Sequence, residues 1–276
     1  MLILRFPEGK RKALTLSYDD GVEQDIRLIE LLNRYGLKCT FNLNSGCFPP
    51  EGHVWPQGQI HRRMPLSACR ELYGRDGHEV AVHTLTHPDL TSLPRTAILH
   101  EVYEDRKNLE EIFGGIVRGA AYPYGTYNDT VVEALRQCDI AYCRMVQSSY
   151  DFHLPQDWLR LRPTCHHADP RLDELCDRFL KDDAGWRSTL FYLWGHAYEF
   201  EAMDNWNVIE RFAEKMSGQE NIWYANNLQI CDYVNAWRSL RVSVDGRSVE
   251  NPSGIPLWME YKRSLLCLQP GEQAAL

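Results

Sequence analysis

The chain has 276 residues, 44% of them hydrophobic and 25% charged, with a formal net charge of −8 and an isoelectric point near 5.7. This is an ordinary globular composition with enough apolar side chains for a sizeable core, and its acidic balance argues against nucleic acid or anionic lipid as the main partner. No apolar run reaches the ~18 residues of a membrane span, no export leader is expected at the N-terminus, and nine cysteines without a Cys-x-x-Cys pair signal neither a zinc knuckle nor a disulfide framework. Scattered thiols of this kind point to a reducing, cytoplasmic setting.

Taken in order, residues 2–6 read as a first edge strand. Residues 13–21, Ala-Leu-Thr-Leu-Ser-Tyr-Asp-Asp-Gly, read as a buried strand that stops at two adjacent carboxylates and a glycine. Residues 25–35 carry Ile26, Ile29 and Leu32 at helical spacing, Gly36 closes that helix, and residues 37–43 form the next strand. A β-α-β unit of this length implies parallel strands. The segment 45–65 holds three glycines and four prolines with His53, Trp55 and His61, and reads as an ordered loop or hairpin insertion, expected over the active face. Beyond it the alternation resumes. Helices are expected over 66–73, 93–113, 128–137, 170–182, 206–215 and 228–240, and strands over 77–83, 118–122, 140–144, 159–162, 188–196 and 221–224. From Arg241 the pattern changes to short antiparallel strands separated by turn residues. The expected division is therefore 1–240, a (β/α) barrel or doubly wound sheet, and 241–276, a β-rich extension. No glycine-rich phosphate loop follows any strand, so nucleotide binding gains no support.

The chemistry-bearing residues fall at strand ends. Asp19 and Asp20 repel each other unless a cation or a shared proton relieves them. His83 and His87 follow the strand GHEVAVH, four residues apart, and can supply two imidazoles from one turn. Asp20 with His83 and His87 would make a three-ligand set that leaves positions open on zinc or a similar metal, as hydrolytic sites require. His78 is expected at the opposite end of its strand. His53, His61, His166 and His167 read as surface histidines. The adjacent pair His166-His167 would point in opposite directions on an extended segment.

The motifs Leu16-Ser-Tyr-Asp-Asp-Gly21, His83-Thr-Leu-Thr-His87-Pro88, Tyr122-Pro-Tyr-Gly125 and Trp194-Gly-His196, in this order, resemble those of the polysaccharide deacetylase family (carbohydrate esterase family 4, NodB-like). The resemblance implies a distorted, seven-stranded (β/α) barrel. It implies that Asp20, His83 and His87 hold a divalent metal, with zinc the first choice and cobalt or nickel as alternatives. Asp19 would be the general base, the backbone N–H of Tyr124 an oxyanion donor, and His196 the acid for the leaving amine. Tyr122 and Trp194 are candidate sugar-binding side chains. Many family members carry an arginine three residues before the tyrosine of the Pro-Tyr step, where it steadies the catalytic aspartate. Here Ala121 stands at that position, with Arg160 and Arg162 as candidate replacements. Asp157-Trp158 is only loosely similar to the family segment that orients the acid histidine.

The expected activity is removal of acetyl groups from an N-acetylated or O-acetylated sugar. The rival readings are hydrolysis of a small non-sugar C–N bond, in the manner of allantoinase- or imidase-like relatives, and a carbohydrate-binding protein without activity.

Overall fold

The computed structural model describes residues 1–276. Its strands are β1 (Ile3–Arg5), β2 (Lys12–Asp19), β3 (Cys39–Leu43), β4 (Glu79–Val82), β5 (Gly119–Ala121), β6 (Tyr142–Arg144), β7 (Cys165–His166), β8 (Thr189–Gly195), β9 (Ile222–Tyr224) and five short strands beyond residue 240. Its helices are α1 (Asp25–Arg34), α2 (Leu66–Leu72), α3 (Arg95–Phe113), α4 (Asp129–Gln137), α5 (Leu172–Lys181), α6 (Tyr198–Ala202), α7 (Asn207–Met216) and α8 (Asn227–Arg238).

Seven parallel strands, in the order β6-β5-β4-β3-β2-β8-β7, form a distorted (β/α) barrel. β9 adds an eighth, pairing with Lys12–Leu14 of β2 below the point where β3 takes over at Leu16. The ring closes through residues 161–167. The Leu161 N–H donates to the Cys143 carbonyl (3.1 Å) on one side, and the Thr164 and His167 N–H groups donate to the Tyr192 and Trp194 carbonyls (2.8 and 2.9 Å) on the other. The sequence reading expected a strand over 159–162. Residues 158–160 instead make a single 3₁₀ turn, and only Leu161 bridges β6. Asp157 drives the turn, its carboxylate accepting from the Leu159 N–H at 3.0 Å.

All eight residues of β2 are buried, and side chains alternate across a strand. Leu14, Leu16 and Tyr18 join the large apolar core that the helices cover. Thr15, Ser17 and Asp19 face a polar barrel interior. There Asn42 donates to Ser17 Oγ (2.7 Å), Thr15 to Asn227 Oδ1 (2.8 Å), and Thr40 and Tyr142 to the two oxygens of Glu79 (2.8 Å each). Buried polar groups persist when paired in this way, and the network explains why β2 reads Thr-x-Ser-x-Asp rather than as a continuous aliphatic run.

The barrel's amino end is closed by a second apolar cluster that includes Phe6, Tyr233, Leu257 and Met259. β12 (Leu257–Tyr261) pairs antiparallel with β1 and with β13 (Ser264–Leu268). A separate small sheet holds β10 (Arg241–Val242), β11 (Ser248–Glu250) and β14 (Gln273–Ala275). The first strand and the C-terminal strands are thus one structure, plugging the end of the barrel away from Asp19.

Candidate active site

The site forms where β2, β4, β5, β6 and β8 end. In parallel α/β sheets this is the edge at which loops converge and backbone groups are free for ligands. Asp19 ends β2 and is 2% exposed. One carboxylate oxygen accepts from Asn42 Nδ2 at 2.8 Å, and the other is ion-paired with the Arg144 guanidinium. The same Oδ2 stands 3.9 Å from His83 Nε2 and 3.7 Å from His196 Nε2. Burial alone would push the Asp19 pKa up, but Arg144, then His83 and His196, outweigh it and hold the carboxyl below its usual range. Asp19 is therefore an ionised carboxylate inside the protein.

Arg144 replaces the arginine missing at Ala121. The two residues are register partners across β5 and β6, so the guanidinium enters the site from one strand over. It is fully buried, and its plane packs against the Trp194 ring, with Cζ 4.3 Å from the ring centroid. Arg160, a candidate from the sequence, is committed to Asp129 (2.7 Å) and Asp157, and Arg162 is exposed.

Asp20, His83 and His87 bring one ligand atom each within 4.8 Å of one another. Their chemistry suits a divalent cation. The His83 Nδ1–H donates to the Ala121 carbonyl at 2.9 Å, which leaves the Nε2 lone pair free to ligate. Burial holds His83 below the ordinary histidine range and brings His87 down to about 4, so both imidazoles are neutral at pH 7. Asp20 is opposed by burial, but the His61 hydrogen bond, His83 and Arg63 draw it well down, so it is ionised. Two neutral imidazoles and one carboxylate are a donor set that zinc accepts.

The backbone here is unusual. Asp20 (φ +82°), Thr84 (+67°), His87 (+60°) and Tyr124 (+57°) all lie in the left-handed region without being glycine, a conformation that costs on the order of 1–3 kcal/mol each. The histidine turn is held from behind by α3. Glu101 accepts from the Thr86 N–H and Oγ1–H (2.8 Å each), Asp105 accepts from the His83 N–H (3.1 Å) and the Ser45 N–H (2.7 Å), and Asn44 Nδ2 donates to the Thr84 carbonyl (2.9 Å).

His196 follows β8. Its Nδ1–H donates to Glu199 Oε1 at 3.3 Å while Nε2 faces Asp19. Burial lowers its pKa, but Glu199 and Asp19 together overcome that and raise it. Glu199 thus orients His196, the role the resemblance gives to the Asp157-Trp158 segment, and the Asp157 carboxylate is instead engaged by Leu159 and Arg160. Tyr124 is 65% exposed, and its ring meets His87 edge-on at 4.7 Å.

Two expected sugar contacts stand differently. Tyr122 is 1% exposed, stacked on Tyr127, with its hydroxyl donating to the Leu159 carbonyl at 2.7 Å. Trp194 is 8% exposed and backs Arg144. Neither offers a free face to a ligand, so their work is packing.

Four further site residues carry no motif of their own. Arg144 and Glu199 are ordinary charges in the sequence. His61 and Arg63 come from the insertion, and each takes one oxygen of Asp20, at 3.1 and 2.9 Å. They arrive because residues 62–64 run antiparallel to the turn after β2, bridged at Val22 and Arg63. His78, at the other end of β4, accepts from the Cys39 N–H at 3.2 Å.

The centre thus combines an acidic and histidine cluster that could hold a metal ion with a second aspartate and a histidine, at the carboxyl end of a seven-stranded (β/α) barrel. The polysaccharide deacetylase family model matches residues 7–143, just under half of the chain. A chitooligosaccharide deacetylase of Rhizobium leguminosarum bv. trifolii is 27% identical over 167 residues, 60% of this chain and 64% of the relative. The chain therefore spans just under two thirds of that relative's length. Among solved structures, a putative polysaccharide deacetylase from Mycobacterium smegmatis superposes with a TM-score of 0.59 at 16% identity, over 86% of this chain and 94% of that one. A family 4 carbohydrate esterase from Streptomyces lividans in complex with acetate superposes at 0.51 and 15% identity, over 77% and 91%. These structural matches concern the fold.

Proposed function

We propose that the chain is a metal-dependent deacetylase that hydrolyses the acetamido C–N bond of an N-acetylated sugar. The observation that carries this is Asp19: an ionised, buried carboxylate between His83 of the ligand triad and His196. Asp20, His83 and His87 would hold the cation, zinc by donor type, which when bound supplies Lewis acidity toward water and the acetyl carbonyl.

The chain's own residues do the proton work. Asp19 Oδ2 takes the proton of the attacking water, and Arg144 and Asn42 hold it in position and in its ionised form. His196, protonated on both nitrogens, gives the Nε2 proton to the departing amine, so that the nitrogen leaves neutral. Glu199 fixes the ring and favours the protonated form. The Tyr124 backbone N–H is the oxyanion donor in this reading. Water adds to the acetyl carbon, the C–N bond breaks, and acetate and the free amine result.

Support for a carbohydrate comes from the similarity to a chitooligosaccharide deacetylase. Nine free cysteines, seven of them buried, fit a reducing compartment and hence a soluble sugar substrate rather than a wall polymer. Acetate release measured on N-acetyl-chitooligosaccharides, O-acetylated sugars and small cyclic amides, with metal content assayed in the same sample, tests the reading. Turnover confined to the small amides would overturn it.

A further inference from the structure

Opposite the metal triad, across His196, lies a second cluster that the proposed reaction does not use up. His166 Nε2 and His167 Nε2 both reach Glu199 Oε2, at 3.1 and 3.0 Å, while His196 Nδ1 reaches Glu199 Oε1 at 3.3 Å. The sequence reading pointed His166 and His167 in opposite directions. They converge because β7 ends at His166 and the chain turns at once, placing the two rings 4.4 Å apart. Tyr18 Oη lies 3.2 Å from His167 Nδ1 and fixes that ring from behind.

One carboxylate here meets three imidazoles and the His196 N–H, also at 3.3 Å. Ligand atoms of His166, His196 and Glu199 lie within 4.8 Å of one another. Tetrahedral zinc with bonds of about 2.0–2.1 Å sets its ligands roughly 3.3 Å apart; here His166 Nε2 stands 3.1 Å from Glu199 Oε2 and His196 Nδ1 3.3 Å from the other oxygen, Oε1, so the carboxylate faces both imidazoles. We propose that His166, His196 and Glu199 form a second divalent-cation site, with zinc-type preference, that shares His196 with the reaction centre.

The proton accounting is consistent. Binding displaces the Nδ1 proton of His196 and leaves its Nε2–H directed at Asp19. On His166 the proton moves to Nδ1, and the Ala168 N–H that this atom now accepts from, at 3.2 Å in an exposed position, passes to water. With Nδ1 coordinated, His196 cannot become doubly protonated. A second cation therefore inhibits the deacetylase, a consequence that rests on His196 being the acid, whereas the site itself does not.

Zinc content after equilibrium dialysis, with cobalt absorption as a second readout, tests this on full-length chains. The wild type is expected to take about two equivalents. Asp20→Asn/His87→Gln, folded by circular dichroism, should keep about one, and adding His166→Ala should remove it. His166→Ala alone should keep the first equivalent only, and should resist the loss of activity, about 10²-fold or more, that excess zinc causes in the wild type. A wild type holding one zinc, kept by His166→Ala and lost by the Asp20/His87 variant, overturns the second site and leaves the first. If the double variant does not fold, an unchanged zinc content in His166→Ala overturns the proposal.

Discussion

At the scale of single residues, the arginine that steadies Asp19 shows how a function can move between neighbouring strands. Ala121 and Arg144 share a register in adjacent parallel strands, so a guanidinium lost from one is regained from the other without altering the backbone. Because Asp19 and Arg144 are both buried, Arg144→Ala leaves a charge without a partner, and unfolding experiments should show a loss of about 3–5 kcal/mol. The Asp19 pKa lies below its unfolded value, so the stability this pair contributes is present above the unfolded carboxylate pKa of about 3.9 and is lost as pH falls through the folded one. The difference between wild type and Arg144→Ala should accordingly shrink in acid.

Asp19→Asn should keep the metal and lose turnover by about 10²–10⁴-fold, read from acetate release and metal content together. His196 is raised by Glu199 and Asp19. Activity should therefore fall as pH climbs through the raised value, and Glu199→Gln should move that alkaline limb to lower pH. A limb that stays in place would remove His196 from the acid position.

At the scale of elements, the histidine turn depends on a helix distant in sequence. α3 presents Glu101 and Asp105 to residues 83–86, and burial raises the Asp105 pKa to about 7 against its hydrogen bonds. Partners that orient ligands in this way typically account for 10–100-fold in metal affinity. Asp105→Ala should lose about that much in chelator competition while the far-ultraviolet spectrum is unchanged. The insertion acts on the opposite side of the same centre, since residues 62–64 follow the turn after β2 and deliver His61 and Arg63 to Asp20.

At the scale of the whole molecule, the two ends of the chain seal the barrel's amino end, while the chemistry sits at the carboxyl end. Met259, fully buried on β12 within the apolar cluster at the amino end, should cost about 2–5 kcal/mol on truncation to alanine. Metal content and turnover of the folded Met259→Ala fraction should match the wild type, as a denaturation curve and an activity assay on one sample will show.

The sequence by itself determined the alternation of strands and helices, the parallel sheet, and the Asp20, His83 and His87 that the fold brings together. These are local signals: side-chain periodicity, an Asp-Asp-Gly stop and a four-residue histidine spacing all lie within one or two elements. Only the tertiary structure decided what surrounds them. Arg144, Glu199, His61 and Arg63 are unremarkable charges along the chain, and they become site residues through strand register and chain reversal. The same closure buried Tyr122 and Trp194 and turned His166 and His167 onto one carboxylate. Asp19 is the clearest case. Its place at a strand end was legible in nine residues, but its ionised state depends on a guanidinium 125 positions away, because a buried charge is settled by what packs beside it and not by what precedes it.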